Sequence, residues 1–202
     1  MMDNLFVLDF ETTGLNPYLN DVIEIAVKKV GTNNYYQTLV KPKELPPGLV
    51  KYVPPFITKL TGINDQMIIE NSINPDNAIT KTVEYINEKS TRGPIYIISH
   101  NGTTFDFLIL KRLMKKYDIS ERFIKRLKYV DTLLFSKRFI KEGRFRQKDL
   151  CKRYNIVNDS EHRAMGDIIA LEKLYLSLHA EYSSINDKEY TTTEIIEEIY
   201  LN

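Results

Sequence analysis

Asn4-Leu5-Phe6-Val7-Leu8-Asp9-Phe10-Glu11-Thr12-Thr13-Gly14 is the stretch on which the fold turns. Asn4 to Asp9 is a short apolar run of the kind that forms a strand buried in a sheet. A strand alternates its faces, so Asp9 and Glu11, two residues apart at its end, point the same way. Two carboxylates side by side repel, and each costs free energy if buried alone. A hard divalent cation such as Mg²⁺ or Mn²⁺ prefers oxygen ligands and removes that cost. The same D-x-E also describes two solvated acids at a strand end, and the stretch by itself does not decide between the two.

Working outward, Val22 to Val30 places Ile23, Ile25 and Val27 on one face at period two. Gly31-Thr32-Asn33-Asn34 is turn chemistry and Tyr35 to Val40 resumes strand character, which predicts a hairpin. Lys41 to Pro55, with Pro46-Pro47 and Pro54-Pro55, reads as loop. Ile79, Val83 and Ile86 form an amphipathic helical stripe. Strands over Ile95 to Ser99 and Lys128 to Asp131 and helices over Phe107 to Tyr117 and Arg163 to Ala180 complete the order β-β-β-α-β-α-β-α. A meander followed by crossover units implies an α/β fold whose mixed sheet is flanked by helices. Residues 1–180 thus read as one domain. Beyond it, Ser183 to Lys188 reads as a polar linker, and Thr191 with Glu194 forms a capping box before Ile195, Ile196, Ile199 and Tyr200. The short acidic helix expected within 181–202 either covers the body or docks a partner.

A chain of 202 residues, 43% hydrophobic and 27% charged, suits one globular domain and argues against disorder. No apolar run approaches the ~18 residues of a membrane span, so no membrane partner is expected. The start lacks the basic region of a secretory signal. One cysteine excludes an internal disulfide and a cysteine zinc cluster, and three histidines exclude a His-rich metal site. A reducing, intracellular compartment fits, with cytoplasm and nucleus not distinguished. Asn, Ile, Lys and Tyr total 70 residues, and their A/T-rich codons fit a low-GC genome, cellular or viral. Net charge is +1, yet Lys111 to Arg153 holds 16 Lys and Arg against 5 Asp and Glu, a local +11 that leaves −10 on the remainder. That asymmetry reads either as a polyanion-facing side or as solvated helix faces.

Two further acids stand at helix starts. Asp106, in Ser99-His100-Asn101-Gly102-Thr103-Thr104-Phe105-Asp106, leads Leu110, Leu113 and Tyr117 at i+4, i+7 and i+11. It is either a helix-start charge favoured by the macrodipole or a ligand aimed at the sheet. Asp167, in His162-Arg163-Ala164-Met165-Gly166-Asp167, leads Leu171, Leu174 and Leu178 with the same spacing. An acid on the buried face of a helix needs a partner. His162, at the helix entrance, is placed either to reach a water beside a metal or to sit exposed in a loop. His100 and His179 read as a loop or packing residue and a helix-surface residue.

Val7-Leu8-Asp9-Phe10-Glu11-Thr12-Thr13-Gly14-Leu15, Ser99 to Leu110 and His162 to Asp167, in this order, resemble the three motifs of the DEDDh (DnaQ-like) 3′–5′ exonuclease family. That family includes the proofreading epsilon subunit of bacterial DNA polymerase III. Leu60-Thr61-Gly62-Ile63 and Val130-Asp131-Thr132-Leu133 match as supporting segments, and the resemblance covers residues 4–180. It implies an RNase H-like fold with a five-stranded mixed sheet. It implies that Asp9, Glu11, Asp106 and Asp167 hold two divalent ions, Mg²⁺ or Mn²⁺, with His162 as general base. It also implies that Thr12 and Thr13 meet the terminal nucleotide, that Leu15 and Ile63 close over its base, and that Asn101 and Phe105 line the scissile phosphate and base. Met165-Gly166 departs from the family, in which a bulkier residue before a small one or an acid is more usual ahead of the last acid.

The reading that follows is a metal-dependent 3′–5′ exonuclease on single-stranded DNA ends, releasing 5′-mononucleotides, that acts either alone or with a polymerase or replication protein. The alternatives are an RNA exonuclease of the oligoribonuclease kind and an inactive nucleic-acid-binding accessory subunit. The 2′-OH separates RNA from DNA, and no sequence feature settles that choice. Lys111, Arg112, Lys115 and Lys116, and the interleaved Phe139, Arg144, Phe145 and Arg146, suit either a strand guide or ordinary surface.

Overall fold

The computed structural model describes residues 4–43, 53–158 and 163–200. Three strands open the chain: β1 (Leu5–Thr12), β2 (Val22–Lys29) and β3 (Tyr35–Val40). Two short helices, α1 (Pro55–Thr61) and α2 (Asp65–Asn71), lead into β4 (Ser72–Ile73) and the longer α3 (Pro75–Lys89). Then come β5 (Ile95–Ser99), α4 (Asp106–Lys116), α5 (Glu121–Ile124), β6 (Leu127–Asp131), α6 (Thr132–Phe139) and α7 (Gln147–Arg153). The chain ends on α8 (Ala164–Ile185) and α9 (Thr192–Tyr200).

The sheet runs β4-β3-β2-β1-β5-β6. β1, β2 and β3 form an antiparallel meander, while β5 lies parallel to β1, β6 to β5 and β4 to β3. The expected five strands are therefore six. The addition, β4, pairs Ser72 with Leu39 and Ile73 with Val40. Two residues are too few to carry a period-two signature. The helices α1, α2, α5, α6 and α7 were also unforeseen, and at four to eight residues each they hold too few turns for an apolar stripe to repeat.

Alternation along β1 feeds two cores. Leu5 and Val7 pack with Ile168, Leu171, Leu174 and Leu178 of α8, whereas Phe6, Leu8 and Phe10 pack with Ile79 and Ile86 of α3 and Leu110 and Leu113 of α4. A third cluster joins Ile23 of β2 to Val53, Ile57, Ile63 and Ile68. On the α8 side, the buried Lys28 and Glu172 form an ion pair, and Glu172 Oε1 also accepts from the Gly31 N–H at 2.6 Å.

The C-terminal region departs from the expected boundary. Ser183 to Ile185, read as linker, continue α8, because Tyr182 reaches the aromatic cluster of Phe135 and Phe139 and extends the helix's buried face. The capping box forms: the Thr191 N–H donates to Glu194 Oε2 at 2.8 Å and the Glu194 N–H to Thr191 Oγ1 at 3.2 Å. Ile195 and Ile199 of α9 are buried in the α8-side core, so this helix covers the body. Among the described residues no helix is long and apolar enough to cross a membrane.

Candidate active site

Leu5 and Val7 face α8, so Asp9 and Glu11, the next two odd positions of β1, emerge on that same side where the core ends. Asp167 comes from the first turn of α8. One carboxylate oxygen from each of Asp9, Glu11 and Asp167 lies within 4.8 Å of the other two. Asp106 is not part of that triad. It opens α4, is 3% exposed, and leaves Oδ1 without a hydrogen-bond partner. Its charge nevertheless acts on Asp9.

The electrostatics show the cost of this gathering. Burial, then Asp106, Glu11 and Asp167, push the Asp9 carboxyl well above the usual range. Burial and the charges of Asp167, Glu24 and Asp106 push Glu11 up to about 8, with Arg163 pulling the other way. Burial lifts Asp106 to about 7, opposed by hydrogen bonds from the backbone of Phe10 and of Asp106 itself. Carboxylates so crowded are the donor set that a hard divalent cation satisfies.

Residues outside the motifs hold the cluster. Glu24 lies directly across from Glu11 in the β1–β2 pairing and is 1% exposed. Its carboxylate accepts from Arg163 Nη2 at 2.8 Å and Nε at 3.3 Å, from the Ala164 N–H at 3.0 Å and from Gln37 Nε2 at 2.9 Å. Glu24 therefore caps α8 from the sheet and fixes the turn that delivers Asp167. Asn158 Nδ2 donates to Asp167 Oδ1 at 2.7 Å, and Gln147 Nε2 to the Asp167 carbonyl at 2.9 Å.

The α4 side is built differently. The buried Asp131 carboxylate accepts from the backbone N–H of Asn101 and Leu133, both at 3.0 Å, of Thr103 at 2.9 Å and of Leu134 at 3.4 Å. It ties the loop before Asp106 to the start of α6. In that loop Asn101 adopts φ 60°, and a Cβ at Gly102 would meet the Phe107 ring at 2.6 Å. Asp131 carried a sequence signal as an Asp-Thr pair before a helix. Glu24 carried only that of a lone acid in an apolar strand, and Gln147 and Asn158 carried none.

The remaining expected residues divide. Thr12 is buried and its hydroxyl donates to the Gly14 carbonyl at 2.5 Å, so its side chain is spent inside the loop. Thr13 Oγ1 accepts from the Asp21 N–H at 3.0 Å and pins the same loop. Leu15 is 83% exposed beside the site. Asn101 is exposed, and Phe105 is half-buried at the N-cap of α4. Ile63, expected to close over the terminal base, is fully buried with Ile23, Ile57 and Ile68. Gly62, left-handed at φ 73°, ends α1 and turns Ile63 into that core. His162 lies outside the described residues. His100 is a packing residue, bonded to Thr132 Oγ1 at 2.9 Å and the Phe145 carbonyl at 2.8 Å, and burial lowers its pKa. His179, expected on the helix surface, is half-buried and bonds the Tyr190 carbonyl at 2.7 Å.

A cleft of about 630 Å³ opens from Asp9 and Asp167 toward α7, lined by Arg146, Lys148, Lys152 and Asn158. It joins the carboxylate triad to a cationic wall drawn from the basic stretch.

Comparison with known proteins agrees with this geometry. An exonuclease family model matches residues 6–175. A PolC-type DNA polymerase III of Mycoplasma genitalium is 29% identical over 189 residues, covering 87% of this chain and 11% of the polymerase. A 3′–5′ exonuclease DinG of Staphylococcus epidermidis is 24% identical over 191 residues, covering 89% of this chain and 18% of that protein. The chain thus spans between a tenth and a fifth of the length of these relatives. E. coli exonuclease I in complex with a dT13 oligonucleotide superposes with a TM-score of 0.73 at 18% identity, over 92% of this chain and 43% of that one, which shows a shared RNase H-like fold.

Proposed function

We propose that this chain, which belongs to the exonuclease family, hydrolyses single-stranded DNA from its 3′ end and releases 5′-mononucleotides. The observation that carries the reading is the triad of Asp9, Glu11 and Asp167 at the mouth of a basic cleft. Relatives that are DNA polymerases and a DNA-bound structural neighbour support DNA as substrate and a polymerase or replication protein as partner.

The donor set fits Mg²⁺ or Mn²⁺: the triad offers only carboxylate oxygens, and the buried Oδ1 of Asp106 has no other partner. Asp9, Glu11, Asp106 and Asp167 would hold two such ions. When bound, these offset the negative charge that builds on the non-bridging and leaving oxygens of the phosphodiester. The chain's own groups do the rest. His162 accepts the proton of the attacking water, a role suited to an imidazole, the side chain whose reference titration lies nearest neutral pH. Arg146, Lys148 and Lys152 hold phosphates in the cleft, so affinity falls steeply with salt. Leu15, Asn101, Phe105 and the backbone of Thr12 and Thr13 form a wall around the terminal nucleotide. That wall stops a strand from continuing past the site, and a closed circle has no end to insert.

The test is parallel digestion of labelled DNA and RNA strands, linear and circular, with EDTA, Mg²⁺ or Mn²⁺. Mononucleotides from the 3′ end of linear DNA, only with metal, are expected. Efficient nicking of circles would overturn the exonuclease, and preferential turnover of RNA would replace the DNA reading with the oligoribonuclease kind.

A further inference from the structure

At the same end of the sheet, but on the face opposite the carboxylate triad, lies a second cavity of about 450 Å³. Its volume falls within the range of about 300–1,000 Å³ typical of small-ligand sites. Its floor is apolar, made by Val22, Ile25, Val40 and Leu113 of the α4-side core. Its rim carries Lys41, Lys43, Arg112 and Lys116, and two tyrosines, Tyr18 and Tyr117, stand in its wall. Among the described residues lining it, Asp21 is the one acid, and it accepts from the Lys43 N–H at 3.2 Å.

The wall is rigid where it meets the catalytic loop. Arg112 donates to the Tyr18 carbonyl at 2.9 Å and to the Asn20 carbonyl at 2.8 Å. It thereby ties α4 to the loop whose other end is pinned by Thr13. Tyr18 remains 64% exposed. Arg112 lies six residues beyond Asp106, roughly 9 Å along the helix. An apolar floor with an aromatic wall suits the face of a base, and a cationic rim suits its phosphate.

We infer that this cavity is a second nucleotide subsite, separate from the pocket of the scissile nucleotide, in which Tyr18 stacks a base and Lys43 and Lys116 hold its phosphate. The nucleotide belongs either to an upstream part of the bound strand, which rests on the exonuclease reading, or to a free mononucleotide.

The experiment compares wild type with Tyr18→Ala, Lys116→Ala and Tyr18→Phe. Binding of fluorescent (dT)10 and of thymidine 5′-monophosphate is measured in EDTA, and hydrolysis of a dinucleotide with Mn²⁺. Tyr18→Ala is expected to weaken (dT)10 binding about tenfold, the scale of one lost stacking contact, and Lys116→Ala to weaken it and reduce its salt dependence, as loss of a phosphate contact does. Tyr18→Phe restores it, and dinucleotide hydrolysis stays within twofold. A loss confined to (dT)10 assigns the cavity to the strand; a matching loss for the mononucleotide assigns it to free nucleotides. Unchanged binding of both ligands would overturn the inference. So would equal losses on dinucleotide and (dT)10, which would place the effect in the catalytic loop. Binding in EDTA needs no turnover, so a protein that binds (dT)10 through Tyr18 yet cleaves nothing would break the exonuclease reading and leave the subsite standing.

Discussion

The two helix starts that bring carboxylates to β1 solve one problem in opposite ways. α4 begins on its acid: Asp106 is buried, its Oδ1 has no hydrogen-bond partner, and no side chain caps the helix. α8 begins three residues before its acid, and Glu24 reaches from β2 to cap it. Asp167 then accepts from Asn158 and stays half-buried in an open cleft. The α4 end is held by its loop, through Asp131 and the tight turn at Gly102. The α8 end is held by side chains distant in sequence. The first design leaves one buried carboxylate oxygen without a partner, while the second spreads its charge over a hydrogen-bonded network.

Loss of catalysis is the largest expected effect. Asp9→Ala, Asp106→Ala and Asp167→Ala should each lower turnover by about 10³-fold, the upper scale for removing one electrostatic contributor. Circular dichroism should show the fold retained, because each change also relieves repulsion. Near-normal turnover in Asp106→Ala alone would mean that the α4 end is structural and the α8 end does the chemistry.

His162→Ala should slow hydrolysis by ~10²–10⁴ while divalent-metal binding, read by calorimetry, survives. The wild-type rate should fall as pH drops through the imidazole titration. An unchanged rate at neutral pH would show that another group takes the proton.

Glu24→Ala strikes only the α8 end. It strands the Arg163 guanidinium and the Ala164 N–H, and should cost about 2–3 kcal/mol in denaturant unfolding. That is below the ~3–5 kcal/mol of a fully buried pair, because Arg163 reaches water. Asn158→Ala should weaken metal binding about 10-fold, the lower end for a group that orients a ligand. Equal stability loss in a metal-binding-neutral Glu24→Ala would confine Glu24 to folding.

Proton linkage gives the smallest effect and sharpens the contrast most. Folded Glu11 titrates at about 8 and Asp106 at about 7, both above ordinary unfolded carboxylates. Between the unfolded and folded values the native state binds more protons, so without metal its stability falls as pH rises toward 8. In EDTA the melting temperature of wild type should therefore drop more between pH 5.5 and 8 than that of Asp106→Asn. Added Mn²⁺ should restore it at pH 8 with proton release. Identical pH slopes in the two proteins would show that Asp106 does not carry the linkage.

Much of the site was legible before any coordinates. Period two sends Asp9 and Glu11 to one face, and the stripes behind Asp106 and Asp167 place both acids on helix faces that pack on the sheet. The capping box of α9 was equally plain, because its two partners are three residues apart. What escaped were contacts between distant segments and elements too short to repeat a pattern. Ile63 sits inside a motif, yet the left-handed turn at Gly62 sends it into the core.

By itself, then, the sequence determined the faces: alternation and helical pitch are local geometry, set by neighbouring residues. Only the tertiary structure decided which charges meet. The β1–β2 register sets Glu24 against Glu11, and the packing of α8 on the sheet closes Asp167 onto Asp9 and Glu11, with Asp106 outside that triad. Those distances depend on how segments tens of residues apart pack. Coulomb repulsion and burial act through such distances, and no local pattern encodes them.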